Sequence, residues 1–349
     1  MSPVVDAHAH VLLPRVDALA QDADGLAAHR GKEGRRNGAE ALRVNGRMIR
    51  DRWPRLTDPG TRLADMDAAG VDVQIVSPSP SHYHYWAAPD LAERIFRTAN
   101  EGVAEHCAAA PERLRGLGLA PLQHPDLAVA ALDHAVLEHG LLGVEISSHV
   151  DDGTEITELS DRRLDPFWSR AEELDAVVFL HPFGCTLDER LDQWYLSNIV
   201  GQPVENAVAL SHLIFGGVLD RHPGLKILAA HGGGYLPTYL GRSEHGWRVR
   251  PDARGCAEPP GHYLRRIWFD SLVHAPETLR SLVTAVGADR VVLGSDHPFD
   301  MGSDDPLGTL RAAGLPDDQT TAVRGGNAVD LFGLTDTVSH DAGHRPAAS

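Results

Sequence analysis

The sequence predicts an α/β fold, a closed (β/α)8 barrel with an insertion after its first strand. Eight short runs rich in Val, Ile and Leu are bounded by Gly, Pro or Asp, and helix-like segments separate them, a pattern typical of parallel sheets. Eight is also the number of strands that this kind of barrel requires. The predicted strands are residues 4–10, 71–78, 114–122, 141–148, 176–183, 225–233, 267–273 and 291–297.

The segments between these strands predict helices, several of which carry a proline near the first turn. These helices cover residues 90–110, 125–138, 203–221, 276–286 and 317–332. Residues 14–58 are rich in Gly and Arg and only weakly periodic, so we interpret them as a lid-like insertion. We expect one domain over residues 1–334 and a flexible tail over residues 335–349, which have almost no apolar side chains.

Composition excludes several classes of function. The formal net charge of −17 argues against nucleic acid or an anionic membrane as the main partner. It is compatible with a small carboxylate substrate, which needs only a local arginine clamp. No apolar run approaches the ~20 residues of a membrane helix, and the chain opens without a signal-peptide pattern. Three widely separated cysteines fit a reducing cytoplasm, and without a GxGxxG or GxxxxGK(S/T) loop we expect no organic cofactor.

Histidines and an aspartate stand where several predicted strands end, which is where the active site of a parallel barrel lies. His8 and His10 are two residues apart on the first strand, so both imidazoles face the same side. His181 ends the fifth strand and Asp296 ends the eighth. Three imidazoles and one carboxylate with an open position suit a catalytic zinc ion, with manganese or iron as alternatives. We therefore predict one divalent metal ion at these four residues.

Two further polar residues end predicted strands. His231 is followed by three glycines, which let the backbone approach closely and leave the imidazole unobstructed. It is either a fifth ligand or a general base one water away from the metal, and we favour the base because imidazole titrates near neutrality. Glu145 ends the fourth strand and is either a partner of a ligand or simply a polar strand residue.

These residues resemble the amidohydrolase superfamily and, within it, the amidohydrolase-related metal-dependent decarboxylases. The resemblance runs from Asp6 to about Leu334. The His-x-His and Gly-Ser-Asp elements are shared across the superfamily, whereas Tyr85-Trp86 and the spacing from the glycine run to Gly241-Arg242 are narrower. Its markers are Asp6-Ala7-His8-Ala9-His10, Asp65-Met66-Asp67, Tyr85-Trp86-Ala87-Ala88-Pro89, Phe179-Leu180-His181-Pro182-Phe183, Ala230-His231-Gly232-Gly233-Gly234, Gly241-Arg242 and Leu293-Gly294-Ser295-Asp296-His297-Pro298-Phe299.

The resemblance implies non-oxidative decarboxylation of a small carboxylated muconate semialdehyde or aromatic acid. Hydrolysis of a lactone, amide or related bond is the alternative, because the same ligands serve both reactions. The resemblance matches the four predicted ligands with zinc ligands and His231 with the residue that activates the metal-bound water, and it gives Asp296 a second, catalytic role. The fourth strand carries Glu145 and lacks the lysine that bridges two metals in binuclear members, which implies a single metal.

The resemblance also implies how substrate binds. Arg50 and Arg242 match arginines that hold substrate carboxylate, and the match of Arg242 reaches into the neighbouring subunit, so a homodimer with composite sites is expected. Phe183 and Tyr195 are expected in the substrate pocket. Tyr195 stands near the place of a tryptophan, and Gly184-Cys185 replaces bulkier residues. These departures leave the metal chemistry intact and bear on which acid is the substrate.

Overall fold

Eight parallel strands form a barrel in the computed structural model, which describes residues 2–334. The predicted fold class is therefore confirmed, although all strands but the first are shorter than predicted and the third is interrupted at Leu117. Two short antiparallel strands, β6 and β7, form a hairpin that we did not predict. The strands are β1 (Val5–Val11), β2 (Val73–Pro78), β3 (Leu114–Gly116), β4 (Gly118–Leu119), β5 (Gly143–Ile146), β6 (His149–Asp151), β7 (Ile156–Glu158), β8 (Val177–Leu180), β9 (Lys226–Ala229), β10 (Trp268–Asp270) and β11 (Val291–Val292).

Hydrogen bonds between the first and last strands close the barrel. β1 pairs with β2 and β2 with β3, while β4 continues β3 and begins the order β4-β5-β8-β9-β10-β11. Across the seam, the Ala7 amide donates to the Leu293 carbonyl at 2.8 Å and the Asp296 amide donates to the His8 carbonyl at 2.8 Å. The seam therefore holds the end of β1 against the segment that follows β11.

Helices surround the strands, and most of the predicted ones are present with changed limits. The predicted helix 203–221 is divided at Gly216 and Gly217, and the predicted helix 317–332 contains a π-helical turn over Ala322–Gly326. The helices are α1 (Pro14–Ala20), α2 (Leu26–Asp51), α3 (Trp53–Thr57), α4 (Pro59–Ala69), α5 (Pro89–Ala108), α6 (Pro125–Asp133), α7 (Asp165–Glu173), α8 (Gln202–Phe215), α9 (Val218–Arg221), α10 (Leu240–Val249), α11 (Pro260–Leu264), α12 (Pro276–Val286), α13 (Pro306–Ala313), α14 (Asp317–Thr321) and α15 (Asn327–Phe332).

Apolar side chains pack in two clusters. The larger lies between strands and helices and includes the fully buried Phe96, Trp168 and Leu213. The smaller joins strand residues such as Phe179 to Phe332 of α15, so the C-terminal helix packs against the barrel. Strands that are covered on both faces consist almost entirely of apolar residues, and this is why they could be recognised in the sequence.

The insertion after β1 is helical rather than a loop. α2 is 26 residues long and bends at Gly38, whose φ of 75° lies in the left-handed region. A Cβ at Gly38 would lie 1.9 Å from the Asp192 carbonyl oxygen, so only glycine permits this close approach. No helix among residues 2–334 is both long and apolar enough to cross a bilayer. The predicted flexible tail, residues 335–349, lies outside the described residues.

Candidate metal centre

The four predicted ligands lie together where their strands end. The Nε2 atoms of His8 and His10 are 3.0 Å apart, and Oδ1 of Asp296 lies 3.4 Å from the first and 3.1 Å from the second. The ring centre of His181 is 5.0 Å from that of His8 and 4.8 Å from that of His10. Three imidazoles and a carboxylate from three strands therefore converge on one point.

Tight packing holds this arrangement in place. A Cβ at Gly294 would lie 2.8 Å from Cβ of Asp270 and 3.0 Å from Cβ of His8, so glycine is needed just before the ligand loop. The buried Asp6 carboxylate accepts hydrogen bonds from the Ser295 amide at 3.0 Å and the Ser295 hydroxyl at 2.5 Å. It also accepts from the His8 amide at 3.2 Å. Asp6 thus joins the segments that carry the ligands of β1 and β11.

Hydrogen bonds behind the His-x-His pair orient both rings. Nδ1 of His8 lies 2.6 Å from Oδ2 of the fully buried Asp270. Nδ1 of His10 lies 3.2 Å from the Pro78 carbonyl oxygen, which can only accept. With a proton on Nδ1, each ring presents the lone pair of Nε2 to the centre, the orientation typical of ligating histidines. Asp270 was missed in the sequence, because the seventh strand was predicted over residues 267–273, whereas the observed strand β10 ends at Asp270.

The pKa shifts of the histidines at this centre are compatible with a bound cation. His181 is buried, and within residues 2–334 neither of its ring nitrogens has a hydrogen-bond partner. Burial and the neighbouring imidazoles hold the pKa of His181 well below its ordinary value, so the ring is neutral, as a metal ligand must be. Burial opposes a charge on His8, but the carboxylates of Asp296 and Asp270 outweigh it and raise the pKa of His8 to about 10. These carboxylates thus favour a positive charge at this position, which a bound metal would supply in place of the proton. The residues present therefore fit a divalent metal of the zinc type.

His231 lies at the same centre. Its φ of 53° is followed by positive φ at three glycines, and a Cβ at Gly234 would lie 2.0 Å from the Pro203 carbonyl oxygen. Nε2 of His231 is 3.7 Å from Oδ2 of Asp296. Ligand atoms of His231, His8, His181 and Asp296 all lie within 4.8 Å of one another. This position suits both alternatives, a fifth ligand and a general base.

A cavity of about 330 Å³ opens onto His181, His231 and Asp296. The predicted pocket residues Phe183 and Tyr195 both line it. Burial, together with the nearby acidic side chains, raises the pKa of Tyr195 to about 12, so its hydroxyl keeps its proton. The insertion also contributes to the wall, through residues that the sequence did not indicate: Asn45, Met48 and Ile49.

The two arginines that were predicted to bind substrate lie outside this cavity. Arg50, near the end of α2, and Arg242, in α10, are both exposed and do not line the cavity of a single chain. Arg52, two residues after Arg50, contacts the segment that follows Asp296, because its guanidinium donates to the Pro298 carbonyl at 2.7 Å. The roles of Arg50 and Arg242 stay predictions.

A second group of side chains that could hold a metal lies away from the cavity, and hydrogen bonds account for how its two histidines are placed. His134 and His139 bring their Nε2 atoms to 3.3 Å, with Glu101 nearby. The Asn100 carbonyl accepts from the Leu119 amide at 2.7 Å, so the Asn100 amino group faces Nδ1 of His134 at 3.5 Å. The proton of neutral His134 then lies on Nε2, where it can be donated to His139.

Comparison with known proteins agrees with this architecture. The family model described as Amidohydrolase matches residues 5–334. The chain is 36% identical over 297 residues to the 2-amino-3-carboxymuconate-6-semialdehyde decarboxylase of Dictyostelium discoideum, an alignment that covers 84% of this chain and 81% of that protein.

Two solved structures are similar over almost the whole chain. The 5-carboxyvanillate decarboxylase of Sphingomonas paucimobilis is 26% identical with a TM-score of 0.81, and 95% of this chain and 99% of that chain are covered. A 2,6-dihydroxybenzoate decarboxylase complexed with 2,6-dihydroxybenzoate is 26% identical with a TM-score of 0.78, covering 95% of this chain and 100% of that chain. Since the family model and these relatives span the barrel and its ligand-bearing strand ends, the chain belongs to the amidohydrolase family.

Proposed function

We propose that this protein removes a carboxyl group from a small carboxylated muconate semialdehyde or aromatic acid without oxidation. The chain is a metal-dependent carboxy-lyase of the amidohydrolase superfamily, as its relatives are decarboxylases. The observation that carries the proposal is the meeting of His8, His10 and His181 with Asp296 beside a cavity of about 330 Å³. This volume is at the lower end of the range for ligand pockets, which suits a small acid.

The metal would be held by His8, His10, His181 and Asp296. We propose Zn²⁺, with Mn²⁺ or Fe²⁺ as alternatives that accept the same nitrogen and oxygen donors. When bound, the metal supplies a Lewis acid that polarises an oxygen of the substrate. The role of the chain is to present neutral rings with their lone pairs inward, which Asp270 and the Pro78 carbonyl ensure for the His-x-His pair.

Decarboxylation breaks the bond between a substrate carbon and its carboxyl carbon. The bonding electrons stay on the substrate carbon, carbon dioxide leaves, and a proton takes the vacated position. We assign the movement of this proton to His231, with Asp296 as the carboxylate beside it, because both line the cavity and lie 3.7 Å apart. Phe183 and Ile49 line the same cavity and restrict water near the reacting carbon.

Arg50 and Arg242 are proposed to bind carboxylate groups of the substrate, with Arg242 supplied by the neighbouring subunit of a homodimer. Large aromatic side chains near this region are exposed: Tyr239, three residues before Arg242, is 67% exposed, and Trp194, beside the cavity residue Tyr195, is 79% exposed. Exposed aromatic groups are typical of protein interfaces. They support a second copy completing the site.

The remaining assignments concern compartment and domain organisation. The cysteines are buried and unpaired, which supports a reducing compartment such as the cytoplasm. We also propose that residues 1–334 act as one domain, in which residues 14–58 serve as a lid over the cavity.

The proposed reaction is tested by incubating purified protein with 2,6-dihydroxybenzoate and with a carboxylated muconate semialdehyde. We expect release of carbon dioxide and a product lighter by that mass, measured by headspace analysis and mass spectrometry. His181→Ala serves as the inactive control.

Hydrolysis, the second candidate, is tested with a lactone and an amide. Turnover of these two alone, without carbon dioxide from either acid, would favour hydrolysis.

A further inference from the structure

A buried glutamate lies behind the candidate metal centre and takes no part in the proposed reaction. Glu145, on β5, is fully buried. Its Oε1 accepts a hydrogen bond from the Tyr83 hydroxyl at 2.6 Å, and its Oε2 accepts one from the Ser77 hydroxyl. The same Oε2 lies 3.4 Å from Nδ1 of His10. A carboxylate at this depth is unfavourable unless it is well paired, so its position calls for a reason.

The two ring nitrogens of His10 have different surroundings, and these show how Glu145 contributes to the metal centre. Nε2 of His10 faces the centre, 3.1 Å from Oδ1 of Asp296. Nδ1 faces away and meets the Pro78 carbonyl and the Ser77 hydroxyl, each at 3.2 Å, with the Glu145 carboxylate just behind. The Glu145 charge is therefore on the opposite side of the ring from the metal position.

His8, the other member of the pair, has a similar arrangement. Its Nδ1 lies 2.6 Å from the Asp270 carboxylate, while Nε2 faces the centre. His181 has no such partner on either ring nitrogen within residues 2–334. Each histidine of the His-x-His pair, but not His181, is thus backed by a buried carboxylate from another strand of the barrel.

We propose that Glu145 is a positioning residue of the metal centre, which holds the His10 ring through Ser77 and strengthens it as a ligand by its negative charge. Carboxylates behind ligating histidines fix ring orientation and raise ligand basicity, and their loss typically lowers metal affinity ~10–100-fold. The inference rests on the proposed metal centre but not on the proposed reaction. The competing explanation is purely structural, since the Tyr83 hydroxyl that donates to Glu145 also lies 3.0 Å from the His181 carbonyl.

The test compares two substitutions of the same kind, Glu145→Gln and Glu205→Gln. Glu205, in α8, is also buried and also pairs with a histidine, since its Oε2 lies 3.2 Å from Nδ1 of His149. It accepts from the Thr186 amide at 2.6 Å and does not line the cavity. The measurements are the Kd for Zn²⁺ and for Mn²⁺, by competition with a chromophoric chelator, and the Tm of the metal-free proteins.

We expect Glu145→Gln to bind both metals ~10–100-fold more weakly than the wild type, and Glu205→Gln to remain within about threefold. A purely structural Glu145 would lower the Tm and leave Kd unchanged, which would overturn the inference. Equal weakening in both variants would overturn it too, because the effect would then be general to buried glutamates.

Two further outcomes complete the test. If Glu145→Gln does not fold, Ser77→Ala replaces it, because Ser77 contacts both Glu145 and His10; about threefold or more weaker binding supports the inference, and an unchanged Kd overturns it. A wild-type protein that bound no divalent metal would overturn the proposed centre and this inference together. Tight binding by both wild type and Glu145→Gln would overturn the inference alone.

Discussion

Two residues of the metal centre hold backbone conformations that are rare for residues other than glycine. His231 has φ 53° and Asp296 has φ 56°, both in the left-handed region. Such conformations are unfavourable by about 1–3 kcal/mol each and persist where the surrounding structure enforces them. Here the enforcing contacts come from Asp270, which accepts from the His231 amide at 2.9 Å, and from the His8 carbonyl, which accepts from the Asp296 amide.

His181→Ala tests the ligand set most directly, because no other described residue pairs with its ring nitrogens. We expect metal content and turnover to fall together while the barrel stays folded, since the core does not depend on this side chain. Mass spectrometry measures the metal content, a steady-state assay measures turnover, and circular dichroism checks that the barrel is folded. A purified variant with a full equivalent of metal and wild-type turnover would show that His181 is not a ligand.

His231→Ala separates the two alternatives for that residue. If His231 moves the proton, the variant keeps its metal and loses turnover by roughly 10²–10⁴-fold. Metal content and kcat are measured on the same preparation, with His181→Ala as the control that loses both. Loss of metal along with kcat in His231→Ala would instead make His231 a fifth ligand.

Strand-end position was enough to predict which residues meet at the candidate metal centre, and their role as ligands stays a prediction. It did not indicate the residues around them. His8, His10 and Asp296 are found by a local rule, because the last residues of parallel strands meet at one end of the barrel. Arg50 was selected by resemblance, and it is exposed outside the cavity of a single chain. The wall residue Met48 lies on the insertion, whose placement depends on contacts between distant segments that no local pattern records.

The long insertion helix α2 owes its position to charged groups. Only Leu26 and Arg36 of this helix are buried. The Arg36 guanidinium donates to the Asp151 carboxylate of β6 at 2.7 Å, and Lys32 pairs with the same carboxylate. This explains why residues 14–58 showed little apolar periodicity in the sequence: most of α2 faces solvent or cavity, and an ion-pair network secures its N-terminal half.

Asp151→Asn should loosen the lid. Burial opposes the charge on Asp151, but Lys32 and Arg36 hold its pKa below the ordinary value, so the pairing is intact at neutral pH and is lost only as pH falls through that lowered pKa. Losing about 1–2 kcal/mol of docking free energy would increase opening roughly 5–30-fold. Limited proteolysis within α2 should accelerate accordingly, and KM should rise more than kcat falls.

The control for the lid is Glu40→Gln, because Glu40 lies on an exposed face and, among the described residues, its ion pair is with Arg43 of the same helix. We expect this variant to match the wild type in both proteolysis and KM. If Asp151→Asn is cleaved no faster than Glu40→Gln, the ion pairs do not hold the lid.

Within residues 2–334, a single chain supplies the candidate metal centre and a cavity whose lining contains no arginine. The expected substrates are carboxylic acids, and the two arginines proposed to bind them, Arg50 and Arg242, are both exposed outside the cavity. The pattern of residues alone could not indicate where these arginines act, because contacts between subunits leave no local periodicity in a sequence. A homodimer would reconcile the two observations, since a C2 interface brings the same exposed surface of each subunit against its partner.

The composite site can be tested by subunit exchange between Arg50→Ala and Arg242→Ala. Each variant alone should be inactive on a carboxylated substrate, because every site in it lacks one arginine. In a mixed dimer, the site of the Arg242→Ala chain keeps its own Arg50 and receives Arg242 from the Arg50→Ala chain. With complete exchange of equal amounts, half of the dimers are mixed and half of their sites are intact, so about a quarter of wild-type activity should return. Mixing two differently tagged copies of the same variant is the control and should restore none. No recovery after exchange, confirmed by native mass spectrometry, would place Arg242 in the function of its own chain.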